Sequence, residues 1–267
     1  SRCWRAARHR TACGCACAGP GSARAAPAGY DDAVSLRGRK ILITAGPTRA
    51  PLDAIRYITN KATGRLPAFV AEEALQRGAS VTYVHGRPSV LPTVRGGMRD
   101  HLAFIAVDTV EDLIHTFREE LPRGYDAVVH NMAVLDFAPA EVRPGKTGSE
   151  EEWVVRLVPT PKAVRLVKEL APQTFLVAFK LEVGKTRQEL VASALRLLRE
   201  SRADLVVANE QREIEAGRHT GYFVVPSGEV VAVAEGKEAI ARTRVGLLEE
   251  RLRGRDSRPE GRPASAR

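Results

Sequence analysis

A few short segments of this 267-residue chain carry residues whose types and spacing could do chemistry. Thr44-Ala45-Gly46-Pro47-Thr48-Arg49 follows a short apolar run, and a small-residue turn at such a place lets backbone N–H groups approach a phosphate. Pro51 to Gly64 (PLDAIRYITNKATG) places Asp53, Arg56, Thr59, Asn60 and Thr63 directly ahead of a helical pattern. Asn, Thr and Gly at a helix start offer donors to an anion or to a developing oxyanion. By composition alone, a helix cap with a polar turn is the simpler account of that stretch. Further along, Asp136 and Lys146 stand ten residues apart around a Gly- and charge-rich loop, and Phe179-Lys180 close another apolar run.

Other chemistries are excluded by what the chain lacks. It has neither a G-x-G-x-x-G nor a G-x-x-x-x-G-K-[ST] run, so the fingerprints of ordinary dinucleotide and P-loop sites are missing. The four cysteines, Cys3, Cys13, Cys15 and Cys17, precede Gly38, and their spacing lacks the paired pattern of a zinc site. From Gly38 onward no thiol is available as a nucleophile or for a disulfide, which fits a reducing, cytoplasmic setting.

The elements that must position these residues alternate between strand and helix. Lys40 to Ala45, Val81 to Val84, Leu102 to Val107, Asp126 to His130, Trp153 to Val158, Val177 to Phe179 and Asp204 to Ala208 read as strands. Residues 64–77 read as a helix stopped by Gly78, a second helix carries Leu113, Ile114 and Phe117 behind a cap at Asp108 or Thr109, and a third starts at Thr160-Pro161. Leu190, Val191, Ala194, Leu195 and Leu198 mark a long amphipathic helix; residues 221–225 and 229–233 flank Pro226-Ser227-Gly228 as a hairpin, and a last helix holds Ile240, Val245 and Leu248. Repeated β-α-β units predict an α/β, doubly wound, mostly parallel Rossmann-like sheet with helices on both faces and a small β-hairpin extension. Ligands of such sheets bind at the carboxyl ends of the strands, where the strand order reverses. Gly46, Asn60, Asp136, Lys146, Lys180 and Asn209 all follow predicted strands.

Charge and composition bound the partners. The formal net charge is +9, but residues 1–38 hold six Arg against Asp31 and Asp32, and residues 251–267 hold six Arg against Asp256 and Glu260. The excess therefore sits at the two ends, where it gives weak non-specific contact and no nucleic-acid-reading face. Residues 1–37, rich in Arg, Ala, Gly and Pro, are expected to be a leader outside the fold, 38–252 the folded domain, and 253–267 a basic tail. No apolar run approaches the ~20 residues of a membrane helix.

Taken in order, TAGPTR at Thr44, PLDAIRYITNKATG at Pro51, HNMAVLDF at His130, VPTP at Val158, FLVAFKLE at Phe175 and DLVVAN at Asp204 resemble the motifs of the phosphopantothenate–cysteine ligase family, from about Lys40 to Arg251. The chain departs from that pattern at Pro67, where Gly is usual, at Glu210, where Asp is usual, at Lys61, and in carrying one lysine in the 146 loop.

The resemblance implies a two-step ligation. The carboxylate of 4′-phosphopantothenate attacks the α-phosphate of a nucleoside triphosphate, and the amine of cysteine then attacks the acyl-nucleotide. Such a reaction needs positioning and charge neutralisation more than a protein nucleophile. On this resemblance Gly46, Asp136, Lys146, Phe179 and Lys180 bind the nucleotide, Arg56, Asn60 and Ala133 the substrate, and Asn60 and Lys146 act in catalysis. Magnesium would arrive with the triphosphate, and no protein metal ligand is expected. Bacterial relatives use CTP and eukaryotic ones ATP, so CTP is favoured. A homodimer is expected, as is a chain without the flavin-dependent decarboxylase often fused ahead of this ligase. Two alternatives are a nicotinamide-dependent short-chain-type reductase, disfavoured by the missing glycine fingerprint and Tyr-x-x-x-Lys pair, and a non-catalytic nucleotide-binding module.

Overall fold

The computed structural model describes residues 36–256. In chain order the elements are β1 (Lys40–Ala45), β2 (Arg49–Pro51), β3 (Tyr57–Thr59), α1 (Arg65–Gln76), β4 (Ser80–Gly86), β5 (Leu102–Val107), α2 (Val110–Glu120), β6 (Ala127–His130), β7 (Phe137–Pro139), β8 (Leu157–Pro159), α3 (Ala163–Leu170), β9 (Phe175–Glu182), α4 (Arg187–Ser201), β10 (Leu205–Glu210), α5 (Gln211–Glu215), β11 (Thr220–Val224), β12 (Val230–Glu235) and α6 (Lys237–Asp256).

The main sheet runs in the order β12-β11-β10-β9-β6-β1-β4-β5. From β5 to β10 all neighbours pair in parallel, and β11 and β12 add an antiparallel edge. This is the doubly wound sheet predicted from the β-α-β alternation, with the hairpin joined to it as its last two strands. The strands at the centre are buried on both faces, which is why they read as continuous apolar runs. On one face Ile41, Ile43 and Val177 pack against α1 and α6. On the other, Leu42, Val128 and Leu176 pack against α2, α3 and α4 through Leu113, Phe117, Val167 and Leu190. A third, much smaller apolar cluster joins Ala50, Val110 and Leu135.

Helix starts follow local chemistry. Thr109 caps α2 and Thr186 caps α4, each in a reciprocal box with the acid three residues on, Asp112 and Glu189. α1 follows Gly64 in the left-handed region, φ 74°, with no side-chain cap, so Asn60 is not the cap that composition alone suggested. Pro67 is the third residue of α1 and buried; its missing N–H falls where no intrahelical partner exists, so the fold absorbs this departure.

Several boundaries differ from expectation. Leu36 is 1% exposed and belongs to the α1–α6 core, and α6 runs to Asp256, so the folded part extends beyond 38–252 at both ends. The rest of the predicted leader and tail lies outside the described residues. The Trp153–Val158 run is not a strand of the main sheet. Only Leu157–Pro159 is extended, paired with β7 in a two-stranded ribbon, while Val154 is 79% exposed. β2 and β3 form a second ribbon, inside a segment whose polar residues hid it. α3 starts at Ala163 because the Thr160 hydroxyl is turned back onto the Leu135 carbonyl. Among the described residues no helix is long and apolar enough to cross a membrane.

Candidate active site

The strand order reverses between β1 and β6, so the loops after these two strands bound the crevice that such sheets use for ligands. The turn after β1 is pressed into the loop after β4. A Cβ on Gly46 (φ 72°) would lie 1.6 Å from Ser89 Oγ, and one on Gly86 would lie 2.0 Å from the Pro47 carbonyl oxygen. Only glycine fits at either place. Ser89 Oγ donates to the Ala45 carbonyl at 3.2 Å, and Val90 N donates to the Thr63 carbonyl at 2.9 Å, which ties the entrance of α1 to the same node.

The loop after β6 crosses this turn. Ala133 N donates to the Gly46 carbonyl at 2.8 Å, and Thr48 N donates to the Ala133 carbonyl at 3.3 Å. Thr48 Oγ1 accepts from Leu135 N at 3.0 Å, and Thr59 Oγ1 donates to the Thr48 carbonyl at 2.9 Å. Asn60 Nδ2 completes the cluster by donating to the Ala133 carbonyl at 3.0 Å. Gly46, Asn60 and Ala133, three sequence-predicted site residues 87 positions apart at the extremes, thus meet at the switch point.

A second cluster centres on Asp53, which is 4% exposed. Its carboxylate accepts from Ile55 N at 2.9 Å, Arg56 N at 2.8 Å, Arg56 Nη1 at 2.5 Å and Thr147 N at 3.1 Å. Burial alone would raise its pKa; the backbone donors of Ile55, Thr147 and Arg56 and the Arg56 guanidinium outweigh that and hold the carboxyl well below the usual range. Arg56 Nη1 also donates to the Thr147 carbonyl at 3.1 Å. Ala54 N reaches the Gly145 carbonyl at 3.0 Å, and Arg143 N the Leu52 carbonyl at 3.0 Å. The Gly- and charge-rich loop carrying Lys146 is docked on the 52–56 turn, with Lys146 itself exposed. Arg56, expected to serve the substrate, gives Nη1 to this clamp, its side chain 38% exposed.

Asp136 is exposed and pairs with Lys162 Nζ at 2.5 Å. Lys162 escaped the sequence reading, although it directly follows the VPTP segment. β9 runs in register with β6, His130 opposite Ala178, so Phe179 and Lys180 extend past the end of β6 on the same carboxyl side. Lys180 Nζ lies 3.3 Å from Glu182, and the Arg244 guanidinium lies 4.0 Å over the Phe179 ring. Asn209 is structural: buried, it donates to the Thr220 carbonyl at 2.6 Å and fixes β11. Glu210 caps α5 through Glu213 N and accepts Gly184 N at 2.6 Å, a role for which its extra length over Asp is used.

His130, also unanticipated, is buried beneath the crevice. Thr44 Oγ1 accepts Met132 N at 3.1 Å and shares a hydrogen bond of 2.9 Å with His130 Nδ1. Burial pushes this histidine down to about 4.

Residues 36–248 match the family described as the DNA/pantothenate metabolism flavoprotein C-terminal domain. The chain is 42% identical over 176 residues to the coenzyme A biosynthesis bifunctional protein CoaBC of Thermococcus kodakarensis, covering 66% of this chain and 42% of that protein. Against the Mycobacterium bovis protein of the same name it is 29% identical over 221 residues, covering 79% of this chain and 51% of the other. The chain therefore spans about half the length, or less, of these relatives. Among solved structures, the DNA/pantothenate metabolism flavoprotein of Streptococcus pneumoniae superposes with a TM-score of 0.72 at 28% identity, covering 81% of this chain and 99% of that one. With the sheet order, the switch-point cluster and these matches in agreement, the chain belongs to the DNA/pantothenate metabolism flavoprotein C-terminal domain family.

Proposed function

We propose that this domain joins 4′-phosphopantothenate to cysteine through an acyl-nucleotide, as a step of coenzyme A biosynthesis. The observation that carries the reading is the meeting of Gly46, Asn60 and Ala133 at the switch point, beside a lysine loop clamped by Asp53. The names of the curated relatives place them in coenzyme A biosynthesis, which supports the same reading.

In this reading the backbone around Gly46 receives phosphate oxygens, and Phe179 and Asp136 hold the base and sugar. Lys146 and Lys180 offset the charge that develops as pyrophosphate leaves. Asn60 Nδ2 has a second N–H beyond the one given to Ala133, and this donor faces the acyl oxygen when cysteine attacks. Arg56 acts through the loop it fastens, setting where Lys146 stands. Among the described residues no three His, Cys, Asp or Glu side chains converge as a metal cage. Magnesium carried on a triphosphate needs none, since it binds phosphate oxygens and keeps several waters; bound there, it would neutralise phosphate charge.

CTP is the proposed triphosphate, with ATP the alternative, and the cytoplasm the proposed setting. A homodimer is proposed on the exposed apolar side chains around the two ribbons. Ile55 is 60% exposed and Phe137 52%, with Tyr57, Val142, Val154 and Leu157 also open to solvent. A surface of this kind is normally covered. The deciding experiment is pyrophosphate release with phosphopantothenate and each of the four triphosphates in turn. Release with CTP above the others is expected, and release with none of them sinks the ligase reading.

A further inference from the structure

Arg244 lies on α6 and is 0% exposed. A guanidinium keeps its charge at any physiological pH, and burying one without a counter-ion is strongly unfavourable. Nη1 donates to Asn131 Oδ1 at 3.3 Å, and the flat face covers the Phe179 ring at 4.0 Å. Nε and Nη2 have no hydrogen-bond acceptor. The buried acid of the same helix, Glu249, gives Oε2 to Arg77 at 2.8 Å, and its Oε1 is not bonded to Arg244. His219 is near enough for the charge of Arg244 to help keep its imidazole neutral, after burial and Lys237, and its Nδ1 is likewise buried without a partner.

The sheet register fixes the height of this group. His130 is level with Thr44 and with Ala178. Asn131 and Phe179 stand one residue further, level with Ala45 and next to Gly46. The guanidinium that touches both is therefore enclosed at the level of the turn after β1. Its two unused nitrogens form one edge of the group, the edge that receives both oxygens of a single oxyanion side by side.

We propose that Arg244 is a built subsite for one phosphate group, received along its Nε–Nη2 edge at the carboxyl ends of β6 and β9. The inference rests on the reading of this crevice as the nucleotide and substrate site. A nucleoside triphosphate and 4′-phosphopantothenate both carry the required group, and the test separates them.

Melting temperature and dissociation constants are measured on the full chain and on Arg244→Met and Arg244→Lys, with CTP, ATP, 4′-phosphopantothenate and inorganic pyrophosphate. Arg244→Met without ligand should melt at or above the parent chain, because an apolar side chain replaces an unpaired buried charge. Its affinity for one class of phosphate ligand should fall by roughly 10- to 100-fold, as expected for lost charge-assisted hydrogen bonds. The ligand whose affinity falls names the source. Arg244→Lys keeps the charge without the two-pronged edge and should lie between; it carries the same comparison if Arg244→Met does not fold. Unchanged affinities in the variants, against clear binding by the parent chain, make Arg244 a packing residue and leave the ligase reading standing. Absence of binding by the parent chain to every phosphate ligand overturns both.

Discussion

The side-chain amide of Asn60 donates to the carbonyl of Ala133 at 3.0 Å, which ties the segment after β3 to the loop after β6 at the point where the strand order reverses. The bond sets the orientation of the amide before any ligand arrives, so an oxygen placed beside it meets a fixed donor rather than a rotating one. Pre-set donors of this kind stabilise charge that appears only in the transition state.

Asn60→Asp keeps the size of the side chain, removes the donor and sets a carboxylate against the Ala133 carbonyl. Formation of the amide should slow by roughly 100- to 1000-fold, more than formation of the acyl-nucleotide. The intermediate should then accumulate, visible by rapid quench and mass analysis. Equal slowing of both steps would reduce Asn60 to positioning the substrate.

Asp53→Asn breaks the clamp between the 52–56 turn and the Lys146 loop. Trypsin should then cut after Lys146 faster than in the parent chain, with pyrophosphate release reduced in parallel. The clamp also carries a pH dependence. With the folded pKa depressed below the unfolded value, its stabilisation is complete above about pH 5 and erodes as pH falls below about 4 towards the folded value. Loop cleavage that is the same in both chains at pH 7 would show that Asp53 does not hold the loop.

Lys146→Ala should weaken the first half-reaction by about 2 to 4 kcal/mol of transition-state stabilisation. Melting temperature should barely move, since the side chain is exposed. Steady-state pyrophosphate release and a thermal melt on the same preparation separate the two effects.

His130 makes the fold sensitive to mild acid. Its folded pKa, about 4, lies below the unfolded value, so between about pH 6.5 and 4 only the unfolded chain takes up the proton. Stability is full above about pH 7 and declines as pH falls, by roughly 3 kcal/mol for this one group. His130→Asn should flatten the curve of melting temperature against pH between 7 and 5. An unchanged slope would assign the acid sensitivity elsewhere.

Leu36→Ala should cost about 2 to 5 kcal/mol of stability, the range for emptying a buried leucine site. A urea melt measures it. A change within error would put Leu36 outside the α1–α6 core.

The sheet was legible in the sequence because its central strands are buried on both faces and therefore apolar throughout, as in KILITA and AVVH. Gly46, Asn60 and Ala133 were legible for another reason: their segments resemble a known family's motifs, and the topology brings the ends of β1 and β6 together whatever the loops contain. The clamp was not. Asp53, Arg56 and Thr147 are separated by 94 residues at most, and nothing in the pattern of either segment announces that one carboxylate gathers donors from both. Lys162 looked like an ordinary residue ahead of a helix, since its meaning comes from Asp136, 26 residues earlier. Arg244 was hidden most completely. On α6 it reads as another cation in a helix rich in them, and only the packing shows that it points inward.

The small cluster of Ala50, Val110 and Leu135 stands apart from the two cores that hold the main sheet. The two ribbons, β2–β3 and β7–β8, rest on it, and only Ile114 and Val134 of its partly buried members also pack against the α2–α4 core. Opening of that layer should require far less free energy than global unfolding. In hydrogen exchange, the amides of Arg49, Ala50, Phe137 and Ala138 should take up deuterium well before those of β1, β6 and β9. Such a pattern would put the opening of the crevice walls on a clock separate from its floor, and would let that opening set the pace at which anything held beneath them leaves.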